Sequence, residues 1–269
     1  MIRLAYLGID ILLPVLDSVL KENCEVLHIY TCNTDNVTEF NTGIIERAKE
    51  NHIAYTTDKI TIDDLKYLKE QGCDLSLCAG YYHKVPMWDG FFMLNVHPSL
   101  LPVGRGAWPM PVSLLRGMNY GGVTIHKMDA DFDTGDIVLQ EKFELTSKDT
   151  LISYMEKLYD KVPEMIQKLF CEYQACISNA IPQGEGEYWR CPTEKDWTVL
   201  ESMKVERADV ILRAFFGYEC IYASEKGHYE IIEARAVRGD NKGQMFPLED
   251  GYLEVTRYRR PAMRSQVKI

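Results

Sequence analysis

None of the eight cysteines (Cys24, Cys32, Cys73, Cys78, Cys171, Cys176, Cys191, Cys220) forms a CxxC pair, and no Cys/His cluster has zinc spacing. That removes the sequence signs of a structural metal or a redox dithiol. Cys24, Cys32, Cys73 and Cys78 lie in or beside apolar runs, where a free thiol acts as a small hydrophobe. No run approaches the roughly 18 apolar residues of a membrane span. The apolar N-terminus MIRLAYLGIDILLPVLDSVL is broken by Asp10 and Asp17 and lacks a basic segment with a small-residue cleavage site. Internal repeats and low-complexity tracts are missing too. So is positive charge: 30 basic against 40 acidic residues give a net charge of −10. A nucleic-acid surface spread over the whole protein is thereby disfavoured, and only a local basic pocket is left open. The expectation is a soluble cytoplasmic protein with reduced thiols, no metal and no membrane contact.

What is present is an ordinary globular composition over 269 residues, 46% hydrophobic and 26% charged. A chain of that length buries roughly 70 to 75% of its unfolded surface, enough for a real core and a preformed cleft. Strand-like runs (3–7, 25–30, 74–78, 93–96) alternate with helix-like ones (11–20, 43–50, 62–70). Apolar rather than strictly alternating strands predict an α/β fold with a mostly parallel sheet covered on both faces. From Gly122 the pattern changes to GVTIHKMD and DIVLQEKFEL, split by ADFDTG, which predicts an antiparallel or mixed edge. The three- and four-residue spacing of apolar residues predicts a long helix from Thr150 to Ala175, kinked or split at Pro163. Turn residues around Ile181-Pro-Gln-Gly-Glu-Gly then suggest a boundary, giving a larger domain over 1–182 and a small α+β domain over 183–269.

The informative stretch is NVHPSLLPVGRGAWPMPVSLLRGMNYGGVTIHKMDADFDTGD, residues 95–136. Asn95 and His97 end an apolar strand, and ligands of parallel sheets bind outside the carboxyl ends of strands. Two apart, they point to the same side of an extended chain. An asparagine amide can donate to a developing oxyanion, and a histidine can take the proton of an attacking amine. A carboxylate of the acidic linker, Asp129, Asp131 or Asp133, would orient His97. Ser99 lacks a nucleophile-elbow pattern, so direct attack on a bound acyl group is favoured over an acyl-enzyme. His126, on the strand GVTIHKM, reads first as a satisfied strand histidine, with a role supporting the catalytic residues as the alternative. GRG at 104–106 is not a dinucleotide fingerprint, since it lacks a third glycine and runs into Trp-Pro.

NVHPSLLP followed by GVTIHKMDADFDTGDIV resembles the signature of the folate-dependent formyltransferases, over about the first 180 residues. The resemblance implies a Rossmann-like core, N10-formyltetrahydrofolate as formyl donor, and Asn95, His97 and Asp133 as the catalytic trio. It also implies a folate pocket between CAGYYHKVP, with Cys78, Tyr82, His83, Lys84 and Val85, and the linker residues Met128, Asp129, Ala130 and Asp131.

The acceptor amine is less sharply written. The position after the first strand, YLGIDILLP, has one glycine and an aspartate where the purine-pathway branch carries a Gly/Ser/Asn-rich phosphate loop. The segment from Tyr188 faintly resembles the start of the C-terminal barrel of the methionyl-tRNA branch, but is shorter. A shortened barrel-like appendage is most similar to the sugar-nucleotide N-formyltransferases. Arg105 and Trp108 are then candidate contacts to a diphosphate and to a sugar ring or base. The resemblance thus implies a nucleotide-linked amino-dideoxy sugar as acceptor, no nucleic-acid partner, and a homodimer. The alternatives are formylation of methionyl-tRNA or of an amino-acid or hydroxyornithine amine. A folate-binding protein or a formyl-folate hydrolase is the reading outside the transferases. The basic run VTRYRRPAMRSQVK reads as a solvated terminus rather than a phosphate-seeking tail.

Overall fold

The structure, a computed structural model, describes residues 1–36, 39–218 and 220–259. The last part of the basic C-terminal run, from residue 260, lies outside the described residues. The chain forms two units. The first comprises 1–106, 121–143 and 156–189; the second comprises 107–120, 144–155 and 190 onward.

The first unit is built from β1 (Ile2–Gly8), α1 (Leu13–Val19), β2 (Cys24–Tyr30), α2 (Thr42–Glu50), β3 (Ala54–Thr56), α3 (Ile62–Glu70), β4 (Leu75–Ala79), β5 (Phe92–His97) and β6 (Val103–Arg105). Its sheet has seven strands in the order β3-β2-β1-β4-β5, then β7 (Tyr120–Lys127) and β8 (Ile137–Glu144). The first five run parallel, whereas β7 runs antiparallel to β5. The mixed edge expected after Gly122 is therefore where the sequence put it. Every residue of β4 is buried, which explains its continuous apolar pattern. Register sets the site in advance: Cys78 of β4 lies opposite Asn95 of β5, and Asn95 lies opposite His126 of β7.

Two loops tie down helices. Thr61 and Asp64 form a reciprocal capping box at the start of α3. The N-terminus of α2 is capped from a distance, since the carboxylate of Asp10 accepts the N–H groups of Gly43 (2.8 Å) and Ile44 (2.9 Å). The long helix α5 (Leu151–Cys171) passes through Pro163 without ending, and the break falls at Glu172, before α6 (Tyr173–Ser178). Pro163 lies on the exposed side, where losing one backbone bond costs least, so the expected split does not occur there. A two-stranded parallel ribbon joins β6 to β9 (Glu187–Tyr188).

The second unit contains α4 (Pro109–Leu115), α7 (Val205–Ala214) and a five-stranded sheet ordered β10 (Thr198–Leu200), β11 (Cys220–Ser224), β12 (Gly227–Arg238), β14 (Gly251–Arg259), β13 (Pro247–Leu248). The buried rings of Tyr222, Tyr229 and Phe246 meet edge to face, and the exposed Tyr258 packs edge-on against Tyr229 and Phe246. No helix among the described residues is long and apolar enough to cross a membrane.

Candidate active site

Strand β5 ends at His97, and its ring is buried, 5% exposed. His97 Nε2 lies 2.8 Å from the carbonyl of Gly104. A carbonyl can only accept, so Nε2 carries the hydrogen, and Nδ1 of the neutral ring holds the lone pair. Nδ1 faces Asp133 Oδ1 at 3.5 Å. The loop that brings Gly104 back is shaped from within: Ser99 N–H donates to His97 O (2.9 Å), and Ser99 Oγ–H donates to Val103 O (2.8 Å).

Asp133 reaches the site because the turn after β7 has an unusual backbone. Its φ is +58°, a left-handed conformation that aspartate tolerates better than bulkier residues. Gly135 follows because a Cβ there would sit 2.0 Å from the carbonyl of Lys127. Thr134 Oγ–H donates to Asp129 Oδ1 (2.6 Å), so Asp129 is spent on the turn. Asp129 and Asp131 are exposed. Of the three carboxylates left open by the sequence, Asp133 is the one facing His97. Its other oxygen accepts the N–H of Gly106 at 2.9 Å.

The Asn95 amide points both hydrogens inward, one at His126 Nε2 (3.1 Å) and one at Asp133 Oδ1 (3.3 Å). Both partners are acceptors, which fixes the amide's orientation. His126 can accept there because its Nδ1–H is spent on the carbonyl of Lys127 at 2.7 Å. His126 is thus a satisfied strand histidine that also holds the Asn95 amide. The signal that finds it is antiparallel register, which sets residue 126 across from residue 95. Replacing His126 with phenylalanine should lower turnover about 10-fold, the low end of what a lost orienting partner costs. Steady-state kinetics on a folded variant would check this.

Burial holds the His97 imidazole below its ordinary value, against the raising influence of Asp133 and the Gly104 carbonyl. Burial works the other way on Asp133, but His97, His126 and the Gly106 N–H outweigh it and hold the carboxyl down at about 2. At neutral pH the pair is therefore a neutral imidazole beside a carboxylate. Both groups have folded values below their unfolded ones, so both contribute stability above the unfolded value that is lost on acidification. His97 loses its share from its ordinary value of 6.5 downward, and Asp133 between 3.8 and about 2. The Asp133 share is about 2 kcal/mol at neutral pH. Urea titrations should show the fall in stability between about pH 4 and 2 shrinking when Asp133 is replaced.

The segments expected to wall a folate pocket stand together. Cys78, Val85 and Met128 belong to one apolar cluster with Phe91 and Met93. The Cys78 thiol is pushed up to about 12 by burial, so it packs and does not react. Tyr82 and Lys84 are exposed, as are Ala130 and Asp131. Lys84 Nζ lies 5.6 Å over the Phe132 ring, bridging the two walls. His83 stacks edge-on with Tyr81, whose hydroxyl accepts the N–H of Ile60. The Arg105 guanidinium donates through Nε and Nη2 to Gln183 Oε1 (3.1 and 3.0 Å) and through Nη2 to Gly184 O (3.0 Å). Trp108 belongs to the second unit and packs edge-on against Trp197, Phe215 and Tyr218. Among the described residues no cluster of three or more His, Cys, Asp or Glu could hold a metal. A cavity of about 440 Å³ lined by Arg3, His28, Tyr30, Lys59 and Tyr67 shares none of these site residues.

Residues 43–170 match a family described as formyl transferase. A methionyl-tRNA formyltransferase of Prochlorococcus marinus is 34% identical over 160 residues, covering 55% of this chain and 49% of the relative. The chain spans 27% to 61% of the length of the curated relatives it matches. Among solved structures, an N-formyltransferase from Helicobacter canadensis in complex with folinic acid and dTDP-3-aminofucose shares the fold at TM-score 0.67, with 20% identity and coverage of 94% and 98% of the two chains. HypX from Aquifex aeolicus in complex with tetrahydrofolic acid does so at TM-score 0.72, with 14% identity and coverage of 97% and 44%.

Proposed function

We propose, from the match of residues 43–170 to a formyl transferase family, that this chain moves a formyl group from N10-formyltetrahydrofolate to the primary amine of a small acceptor. The observation carrying the proposal is the interlinked set of Asn95, His97, His126 and Asp133 at the carboxyl end of β5. It offers an amide donor, a neutral base and a fixed carboxylate, with no nucleophilic side chain among them. The apolar floor of Cys78, Val85 and Met128 suits a flat heteroaromatic ring. The donor supplies an activated formyl carbon.

The reaction then follows from the residues. The acceptor nitrogen attacks the formyl carbon, and the carbonyl electron pair moves to oxygen. Asn95 donates to that oxygen with the hydrogen it otherwise shares with Asp133, the longer of its two bonds. The ammonium proton passes to Nδ1 of His97, and Asp133 stabilises the imidazolium. The oxygen pair returns, the bond to folate nitrogen breaks, and the proton leaves with that nitrogen.

For the acceptor we favour a nucleotide-linked amino sugar. In the second unit Arg235, Arg238 and Arg259 pair with Glu254, Glu206 and Glu230. Neutralised arginines make a poor surface for an RNA backbone, whose binding draws on unpaired cations. Methionyl-tRNA is the second reading, favoured by the names of the curated relatives. A mass-spectrometric screen with N10-formyltetrahydrofolate decides. The panel holds TDP- and UDP-linked 3- and 4-amino sugars, methionyl-tRNA and hydroxyornithine, with His97→Ala as control. A 3- or 4-amino sugar should gain one formyl mass, and the control should not support it. Formylated tRNA or hydroxyornithine overturns the acceptor, and formate release without any acceptor points to hydrolysis.

A further inference from the structure

We propose that Gln183 is a positioning residue for this chemistry, acting with Arg105 as a brace that fixes the His97–Asp133 pair; the proposal rests on the formyl-transfer reading above. The backbone on either side of Arg105 holds both reacting groups. The carbonyl of Gly104 accepts from His97 Nε2, and the N–H of Gly106 donates to Asp133 Oδ2. A glycine on each side would leave that segment loose, and the Arg105 side chain between them anchors it. Gln183 Oε1 accepts both Nε and Nη2 of Arg105, while Gln183 Nε2 donates to the carbonyls of Asp133 (2.9 Å) and Gly135 (2.6 Å). One amide thus ties the loop that holds His97 to the turn that carries Asp133.

The neighbouring chain reinforces the tie. Trp189 N–H donates to Arg105 O at 2.7 Å, and β9 pairs with β6. A Cβ on Gly106 would sit 2.4 Å from the Trp189 carbonyl, and one on Gly186 would sit 2.7 Å from the centre of the Arg105 guanidinium. The segment 183–189, turn-rich in sequence, therefore lies closely against 102–106. Arg105 has two of its three nitrogens committed to this brace, and its primary role is internal.

The test compares Gln183→Leu, Gln183→Glu and Arg105→Lys with the wild type. Gln183→Leu removes both ends of the brace. Gln183→Glu keeps the Arg105 partner but sets a carboxylate against two carbonyls. Both should lower kcat about 10²-fold, the scale of an ångström-sized misplacement, with KM for the formyl donor unchanged. Arg105→Lys should give a smaller loss, and Arg105→Lys with Gln183→Leu should be no worse than Gln183→Leu alone. A second readout needs no activity: NMR titration of the His97 ring, which faces the Asp133 carboxylate, the Gly104 carbonyl and the His126 ring. Its midpoint should rise toward the ordinary imidazole value in both Gln183 variants, as water reaches a loosened pair. Folded Gln183 variants with wild-type kcat and an unmoved His97 midpoint would overturn the brace. A wild type that formylates nothing, with the midpoint still moving in the variants, would sink the formyl-transfer reading and leave the brace standing.

Discussion

Replacing His97 with alanine is expected to lower kcat by about 10³-fold, within the 10²- to 10⁴-fold typical of a lost general acid–base group. Three losses coincide in that variant. The lone pair at Nδ1 disappears, so the proton of the attacking amine must leave through water. Asp133 loses the cation it is placed to stabilise and keeps its charge in a buried site. The Gly104 carbonyl loses its donor, which frees the loop that also presents Gly106. KM for the formyl donor should change little, because the proposed floor of Cys78, Val85 and Met128 is untouched. Single-turnover kinetics with saturating donor would check this, and a kcat within 10-fold of the wild type would remove His97 from the proton path.

Asp133→Asn should be nearly as severe, about 10²- to 10³-fold in kcat, for a different reason. Asp133 accepts at both oxygens: the Asn95 amide donates to Oδ1, and the Gly106 N–H donates to Oδ2. An asparagine must place its NH₂ on one of those sides. Toward Asn95 it opposes another NH₂; toward Gly106 it opposes a backbone N–H. Either way one buried donor goes unpaired, at about 1–3 kcal/mol of stability. The imidazolium also loses its counter-charge, so catalysis falls beyond the packing cost. The pH–rate profile separates the two effects. In the wild type the activity should rise as His97 loses its proton, with a midpoint below the ordinary imidazole value. Without the carboxylate that midpoint should move lower still. An unchanged midpoint would mean that the carboxylate acts on structure alone.

Much of this arrangement is readable from the chain because its signals are local. Apolar runs ending at Gly8, Ala79 and His97 give parallel strands, and the ADFDTG linker gives the antiparallel edge at β7 and β8. What escapes is whatever depends on side chains meeting across distant segments. His126 reads as an ordinary strand residue until register sets it beside Asn95. Gln183 reads as a linker residue, since nothing near it in sequence reveals that its partners lie 50 and 78 residues back. Pro163 interrupts the spacing pattern without ending the helix, because a proline on the exposed side of an amphipathic helix can be absorbed when packing of the opposite face holds the turns together. Trp108 joins an aromatic cluster whose other members begin some 90 residues later, a distance at which spacing carries no information.

Asp10 has a chemical consequence for the acceptor. A helix start at the carboxyl edge of a parallel sheet is a natural seat for a phosphoryl group, because free N–H groups and the helix dipole both attract it. Helix α2 begins at such a place, yet its first donors already hold a carboxylate from the same chain. The helix thus comes with its own counter-ion. An incoming phosphate would have to expel Asp10 while being repelled by it. Whatever negative charge the acceptor brings must therefore be received elsewhere on the protein.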